Sequence, residues 1–125
     1  MNRERGFTLI EVILALSILL VVMMMLASTT GRALHTAATT QSQQTAIQLA
    51  MDKIDQVRND PNYAGLEAAY AKTDTTFTGL PGFRRVTSIV RTFGPGNPND
   101  YKKVTVTVTG PGITPVSRTV TVAAP

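Results

Sequence analysis

Residues 12–31 form a twenty-residue stretch without one charged side chain, bounded by Glu11 and Arg32. Within residues 12–27 only Ser17 is not apolar. About 20 apolar residues in a helix span a bilayer core, so this stretch argues against a soluble monomer. The composition agrees: charged residues make up 16% of the 125, against a usual ~25%.

Proline sets the next boundary. None of the seven prolines precedes Pro61, and Gly31 is the only glycine between Phe7 and Asp60. Proline breaks helix interiors and glycine weakens them, so the sequence predicts one continuous helix over residues 7–58. At ~1.5 Å per residue it is longer than any bilayer span, and its second half has to leave the membrane. In that half Ile47, Ala50, Met51, Ile54 and Val57 recur at the spacing of one helical face. Asp52, Lys53, Asp55 and Arg58 take other positions and read as a solvated face. Asn59-Asp60-Pro61 ends the helix.

Residues 62–80 read as a loop with a short helix over residues 66–71. After Gly82 the period changes to two. Residues 83–93 are rich in Val, Ile, Thr and aromatics, and residues 94–100 form a Gly/Pro/Asn loop. Residues 101–109 read YKKVTVTVT, with Val104, Val106 and Val108 on one face and Thr105, Thr107 and Thr109 on the other. Residues 116–122 alternate again. The expectation is an antiparallel meander of three or four strands with one apolar face, covered by the helix stripe from Ile47 to Val57. The fold class is therefore α+β.

Chemistry is bounded by what the chain lacks. It has no cysteine, so disulfides, thiolate metal sites and Cys nucleophiles are excluded. It has one histidine, His35, which excludes a His-based metal cluster. His35 reads as a surface or interfacial residue, and Met23-Met24-Met25 as packing surface. No nucleophile–base or metal set can be assembled, so the expectation is no enzyme, no metal and no cofactor. Twelve Lys/Arg against eight Asp/Glu leave a net charge of +4, which permits anionic partners without demanding them.

A short basic segment, Arg3-Glu4-Arg5, precedes the apolar run. A cleaved secretory signal would have an apolar core of ~7–15 residues, and this one is longer. A plain single-span anchor leaves Glu11 unexplained, because an ionisable residue at the edge of a span is functional by default. The plain reading of Glu11 is a carboxylate snorkelling to the interface.

Residues Arg5-Gly6-Phe7-Thr8-Leu9-Ile10-Glu11-Val12 resemble the N-terminal signature of type IV prepilins and type II secretion pseudopilins. The resemblance is close over residues 3–27, with Gly before Phe, Glu four residues after Phe, and a spanning segment following directly. The later YKKVTVTVTGPG pattern looks more like minor pilins and minor pseudopilins. The helix proline and the C-terminal cysteine pair often carried by major subunits are both absent. The resemblance implies a membrane prepilin peptidase cutting between Gly6 and Phe7, N-methylation of Phe7, and an assembly role for Glu11. Gly6 admits the backbone to a tight site, and Arg3 and Arg5 hold the leader on the cytoplasmic side. A Phe7 ammonium or the Glu11 carboxylate alone is expensive to bury in a filament core. Pairing Glu11 with a neighbour's Phe7 ammonium removes that cost.

The implied organisation is a leader at 1–6, a transmembrane half-helix at 7–31, an exposed half-helix at 32–60, a connecting loop at 61–82 and a sheet at 83–125. The implied protein is a structural subunit of a type IV pilus-like filament. Its place is the inner (cytoplasmic) membrane as a single-pass protein with its C-terminal domain outside, then a surface or periplasmic fibre. Its partners are the membrane, other pilins or pseudopilins, and the prepilin peptidase. Pilus, type II secretion and competence systems all remain open. Arg84, Arg85, Arg91, Lys102 and Lys103 raise an alternative: if the strands pair, all five crowd near one sheet surface, fit for DNA or a surface ligand. The plainer reading is charged decoration that protects edge strands.

Overall fold

The structure, a computed structural model, describes residues 6–125. Helix α1 runs Leu9–Arg58, followed by a 3-10 turn (Tyr63–Gly65), α2 (Leu66–Tyr70), β1 (Thr73–Asp74), β2 (Arg84–Thr92), β3 (Tyr101–Thr109) and β4 (Val116–Ala123). The chain divides into two compact units, up to Ala38 and from Thr39 to Pro125. In the first, α1 is continuous through Gly31, as the absence of proline requires. Its large apolar side chains from Leu9 to Leu26 are all 45–80% exposed.

The second unit is a meander of order β1-β2-β3-β4, antiparallel throughout. Val104, Val106 and Val108 lie fully buried on one face of β3, the face predicted from their two-residue period. The α1 face turned to them differs from the predicted stripe. Ala46, Ala50 and Val57 are fully buried and Lys53 nearly so, whereas Met51 is 52% exposed. Ala46 and Ala50 share the core cluster with the valines, and Met51, one residue on from Ala50, turns outward. Leu66 of α2 and Phe83 close the core. Each fully buried valine or leucine contributes about 1.5–3 kcal/mol.

The segment 61–82 is more ordered than a loop. Asn62 caps the 3-10 turn through Oδ1, which accepts from the Gly65 amide at 3.1 Å. Asp60 accepts from the Asn62 amide at 2.8 Å and from the Tyr70 hydroxyl at 2.7 Å. A fourth strand, β1, pairs Thr73 with Val86 and Asp74 with Arg85. Gly82 then turns the chain at φ 81°, where a Cβ would meet Pro111 at 2.8 Å.

Candidate functional site: the N-terminal segment and the basic residues of the sheet

Gly6, Phe7 and Thr8 precede α1 and are not helical. Nothing lies within 4 Å of a Cβ built at Gly6, and Phe7 is 83% exposed. The Gly6–Phe7 peptide thus lies outside the helix. Arg3 and Arg5 lie outside the described residues. The Thr8 carbonyl starts the ladder, accepting from the Glu11 amide at 3.0 Å and the Val12 amide at 3.2 Å. Glu11 therefore sits in the first turn, exposed, where the helix dipole favours a carboxylate.

The segment that follows suits a hydrocarbon environment. An apolar surface all round a helix belongs to a protein core or a membrane. Here it is exposed, and α1 is long and apolar enough to cross a bilayer. Polar groups in and after the run are satisfied locally. The Ser17 hydroxyl donates to the Ile13 carbonyl at 2.8 Å, Thr29 to Met25 at 2.9 Å and Thr30 to Leu26 at 3.0 Å. In lipid an unsatisfied group costs several kcal/mol.

The five basic residues do not share one surface, which corrects the expectation that they crowd together. Side chains alternate along a strand, so Arg84 and Arg85 part company, as do Lys102 and Lys103. Pairing of Arg85 with Val108 and of Arg91 with Lys102 puts those three cations on the face turned to α1. Arg84 and Lys103 project from the opposite face.

The three inward cations have internal partners. Arg85 donates to Asp74 Oδ2 at 2.8 and 3.1 Å and to the Leu49 carbonyl at 3.0 Å. Lys53 of α1 joins the same carboxylate at 3.5 Å and lies over the Tyr70 ring. Lys53, predicted as part of a solvated face, is thus buried against β1. Lys102 is 1% exposed and donates to the Tyr63 carbonyl at 2.8 Å, with Glu67 at 3.6 Å. Arg91 grips Asp100 through Nε and Nη2. These contacts fasten the segment 61–82 and the start of β3 to the sheet.

Their electrostatics follow from that geometry. Burial pushes the Asp74 carboxyl up, but the Arg85 hydrogen bonds and the Lys53 charge outweigh it and hold the group below its usual value. The Arg91 hydrogen bond lowers Asp100. Burial lowers Lys53, only partly opposed by Asp74. This is a structural ion network. Among the described residues no group of three His, Cys, Asp or Glu is placed to hold a metal ion.

Comparison with family models matches residues 1–27 to the prokaryotic N-terminal methylation motif. Comparison with curated proteins gave no match, and comparison with solved structures gave none either. Residues 1–27 thus carry the type IV prepilin-like signature, borne on a long helix and antiparallel sheet of pilin-like architecture.

Proposed function

We propose that the chain is a minor pilin or minor pseudopilin, processed by a prepilin peptidase and drawn into a helical filament through its apolar N-terminal helix. The observation that carries this reading is the methylation motif over residues 1–27, which takes in the exposed apolar start of α1. In this reading the peptidase cuts the Gly6–Phe7 bond and Phe7 is N-methylated. The helix then holds the protein as a single span in the inner membrane, its sheet domain outside the cytoplasm. The leader is 1–6, the membrane half 7–31 and the exported part 32–125.

In the filament the apolar helix leaves the lipid for a bundle of like helices. Van der Waals packing and apolar contact then replace lipid contact. The Phe7 ammonium and the Glu11 carboxylate lie within one turn of each other along the chain. Pairing each with its counterpart on a neighbour removes two uncompensated charges and sets axial register. A helical fibre grows because the contact is heterologous and does not close.

The alternative of a DNA- or ligand-binding module keeps only Arg84 and Lys103 of its five basic residues on one exposed face, since Arg85, Arg91 and Lys102 are occupied within the fold. Mass spectrometry of the membrane-extracted protein tests the proposal. The expected chain starts at Phe7, carries one added methyl group and has 119 residues, 125 less the six of the leader. A chain starting at Met1, in cells with active prepilin peptidase, overturns it.

A further inference from the structure

The charge-free run of α1 stops at Arg32. Its twenty residues, 12–31, make about 30 Å of helix at ~1.5 Å per residue, the thickness of a hydrocarbon core at ~30 Å. With that core filled, Glu11 meets one headgroup layer and Arg32 the other. Arg32 is exposed. In its own unit, up to Ala38, the one carboxylate among the described residues is Glu11, at the far end of the run and ~31 Å away along the helix. The Arg32 charge therefore stands at the membrane edge with no carboxylate of its unit in reach.

The helix surface around it turns polar on one side only. Ser28, Thr29, His35 and Thr36 lie three or four positions from Arg32 and share its face. The opposite face continues apolar through Ala27, Leu34 and Ala37, and Leu34 is 68% exposed. The Ser28 and Thr29 hydroxyls both donate to the Met25 carbonyl, at 2.8 and 2.9 Å. Their protons are committed to the helix, whereas a guanidinium presents several N–H groups in a planar fork.

The position of Arg32 also runs against orientation. Cations flanking a span collect on its cytoplasmic side, where the reading above places Arg3 and Arg5. With residues 1–6 removed, Arg32 is the first arginine or lysine of the chain, and it stands on the far side. An anion supplied by the membrane itself offsets that.

We propose that Arg32 binds the phosphate of a phospholipid headgroup in the leaflet facing away from the cytoplasm. A guanidinium and a phosphate fit through two parallel N–H···O bonds, and the bond sets how far the helix rises out of the bilayer. This rests on the reading of α1 as a single span, and adds to it the ligand that fixes its depth.

Two measurements on the full chain test it. Protein carrying isotope-labelled arginine is reconstituted in vesicles of phosphatidylethanolamine and phosphatidylglycerol, in phosphate-free buffer so that lipid supplies all the phosphorus. Solid-state NMR then reads dephasing of guanidinium carbons by phosphorus. The expected result is a dephased signal that Arg32→Gln removes. In the second, Leu34→Cys is labelled from outside spheroplasts with a membrane-impermeant maleimide, in a chain with no other cysteine. Adding Arg32→Leu lets the helix sink and should lower labelling by about fivefold, the worth of one arginine at an anionic surface. Arginine dephasing unchanged in Arg32→Gln overturns the proposal, and so does labelling unchanged in Arg32→Leu. In both cases acyl-chain contact of residues 12–31 in the same vesicles leaves the span standing. A chain with neither acyl-chain contact nor labelling at Leu34→Cys overturns the span and the phosphate site together.

Discussion

Asp74→Ala should unfold the sheet unit more readily than any exposed substitution. Asp74 is the one carboxylate within 4.0 Å of both Lys53 and Arg85 among the described residues. Those cations have side chains only 6% and 14% exposed, and Asp74 is 21% exposed. Removing one partner of a buried pair costs about 3–5 kcal/mol. Some water reaches Asp74, and Arg85 keeps its bond to the Leu49 carbonyl, so roughly 2–4 kcal/mol is expected here. The unit from Thr39 to Pro125 should have a total stability of roughly 4–13 kcal/mol at ~0.05–0.15 kcal/mol per residue. The loss is therefore a large share, worth roughly 8–32 °C in melting temperature at ~4–8 °C per kcal/mol.

The assay is urea unfolding of residues 32–125 at pH 7, followed by circular dichroism. Asp74→Leu combined with Arg85→Met and Lys53→Met removes the charges together and should recover most of the loss. The pH dependence has a definite sign. Asp74 and Asp100 have folded values below their ordinary ones. The stability they add is present above the unfolded value near ~3.9 and disappears as pH falls through the folded values. Asp74→Ala should flatten that acid limb, leaving the shares of Asp100 and of Asp60, which the Asn62 amide and Tyr70 hydroxyl also lower. A loss under ~0.5 kcal/mol, or an acid limb of unchanged slope, refutes the reasoning.

Three further outcomes follow from the same packing. Residues 32–125 should be soluble and folded. A fragment starting beyond Val57 should aggregate in a sedimentation assay, because Val104, Val106 and Val108 lose their cover. Thr87→Val should stabilise residues 32–125 by about 1 kcal/mol in the same urea titration, because the Thr87 hydroxyl is buried without a hydrogen-bond partner. Lys102→Met should be destabilising by roughly 1–3 kcal/mol, since it leaves the buried Tyr63 carbonyl without its 2.8 Å donor.

Much of this architecture is legible without coordinates, and the exceptions have physical causes. The helix from Leu9 to Arg58 follows from the missing prolines, and β2, β3 and β4 from a two-residue period. Strand β1 carries no such signal: Thr73-Asp74 is too short for a period, and Asp disfavours strands. The Asp74–Arg85 bond holds it in place. Lys53 and Lys102 read as surface from sequence, because long amphipathic side chains do so until their partners are known. Those partners, Asp74 and the Tyr63 carbonyl, lie far along the chain. Met51 falls outside the core, and apolar spacing does not say which of two neighbouring stripes is centred on the sheet. The small side chains of Ala46 and Ala50 decide it. Separation of the basic residues was available from alternation alone, since neighbours such as Arg84 and Arg85 take opposite faces of a strand. Gly6, Phe7 and Glu11 are legible by spacing, and the structure adds that the first two lie outside the helix and the third in its first turn.

The assembly role proposed for Glu11 can be read from one ratio. The measurement is the amount of this subunit in sheared filaments divided by the amount in the membrane, for wild type and Glu11→Leu. Insertion needs apolar length, which the change increases, and cleavage needs Gly6 and the basic leader, which it leaves alone. Assembly alone loses a partner for the Phe7 ammonium, at about 3–5 kcal/mol. The expected ratio is lowered by roughly a hundredfold or more at ~1.4 kcal/mol per tenfold, with processing intact. An unchanged ratio would contradict it and leave Glu11 as a carboxylate that only reaches for the interface.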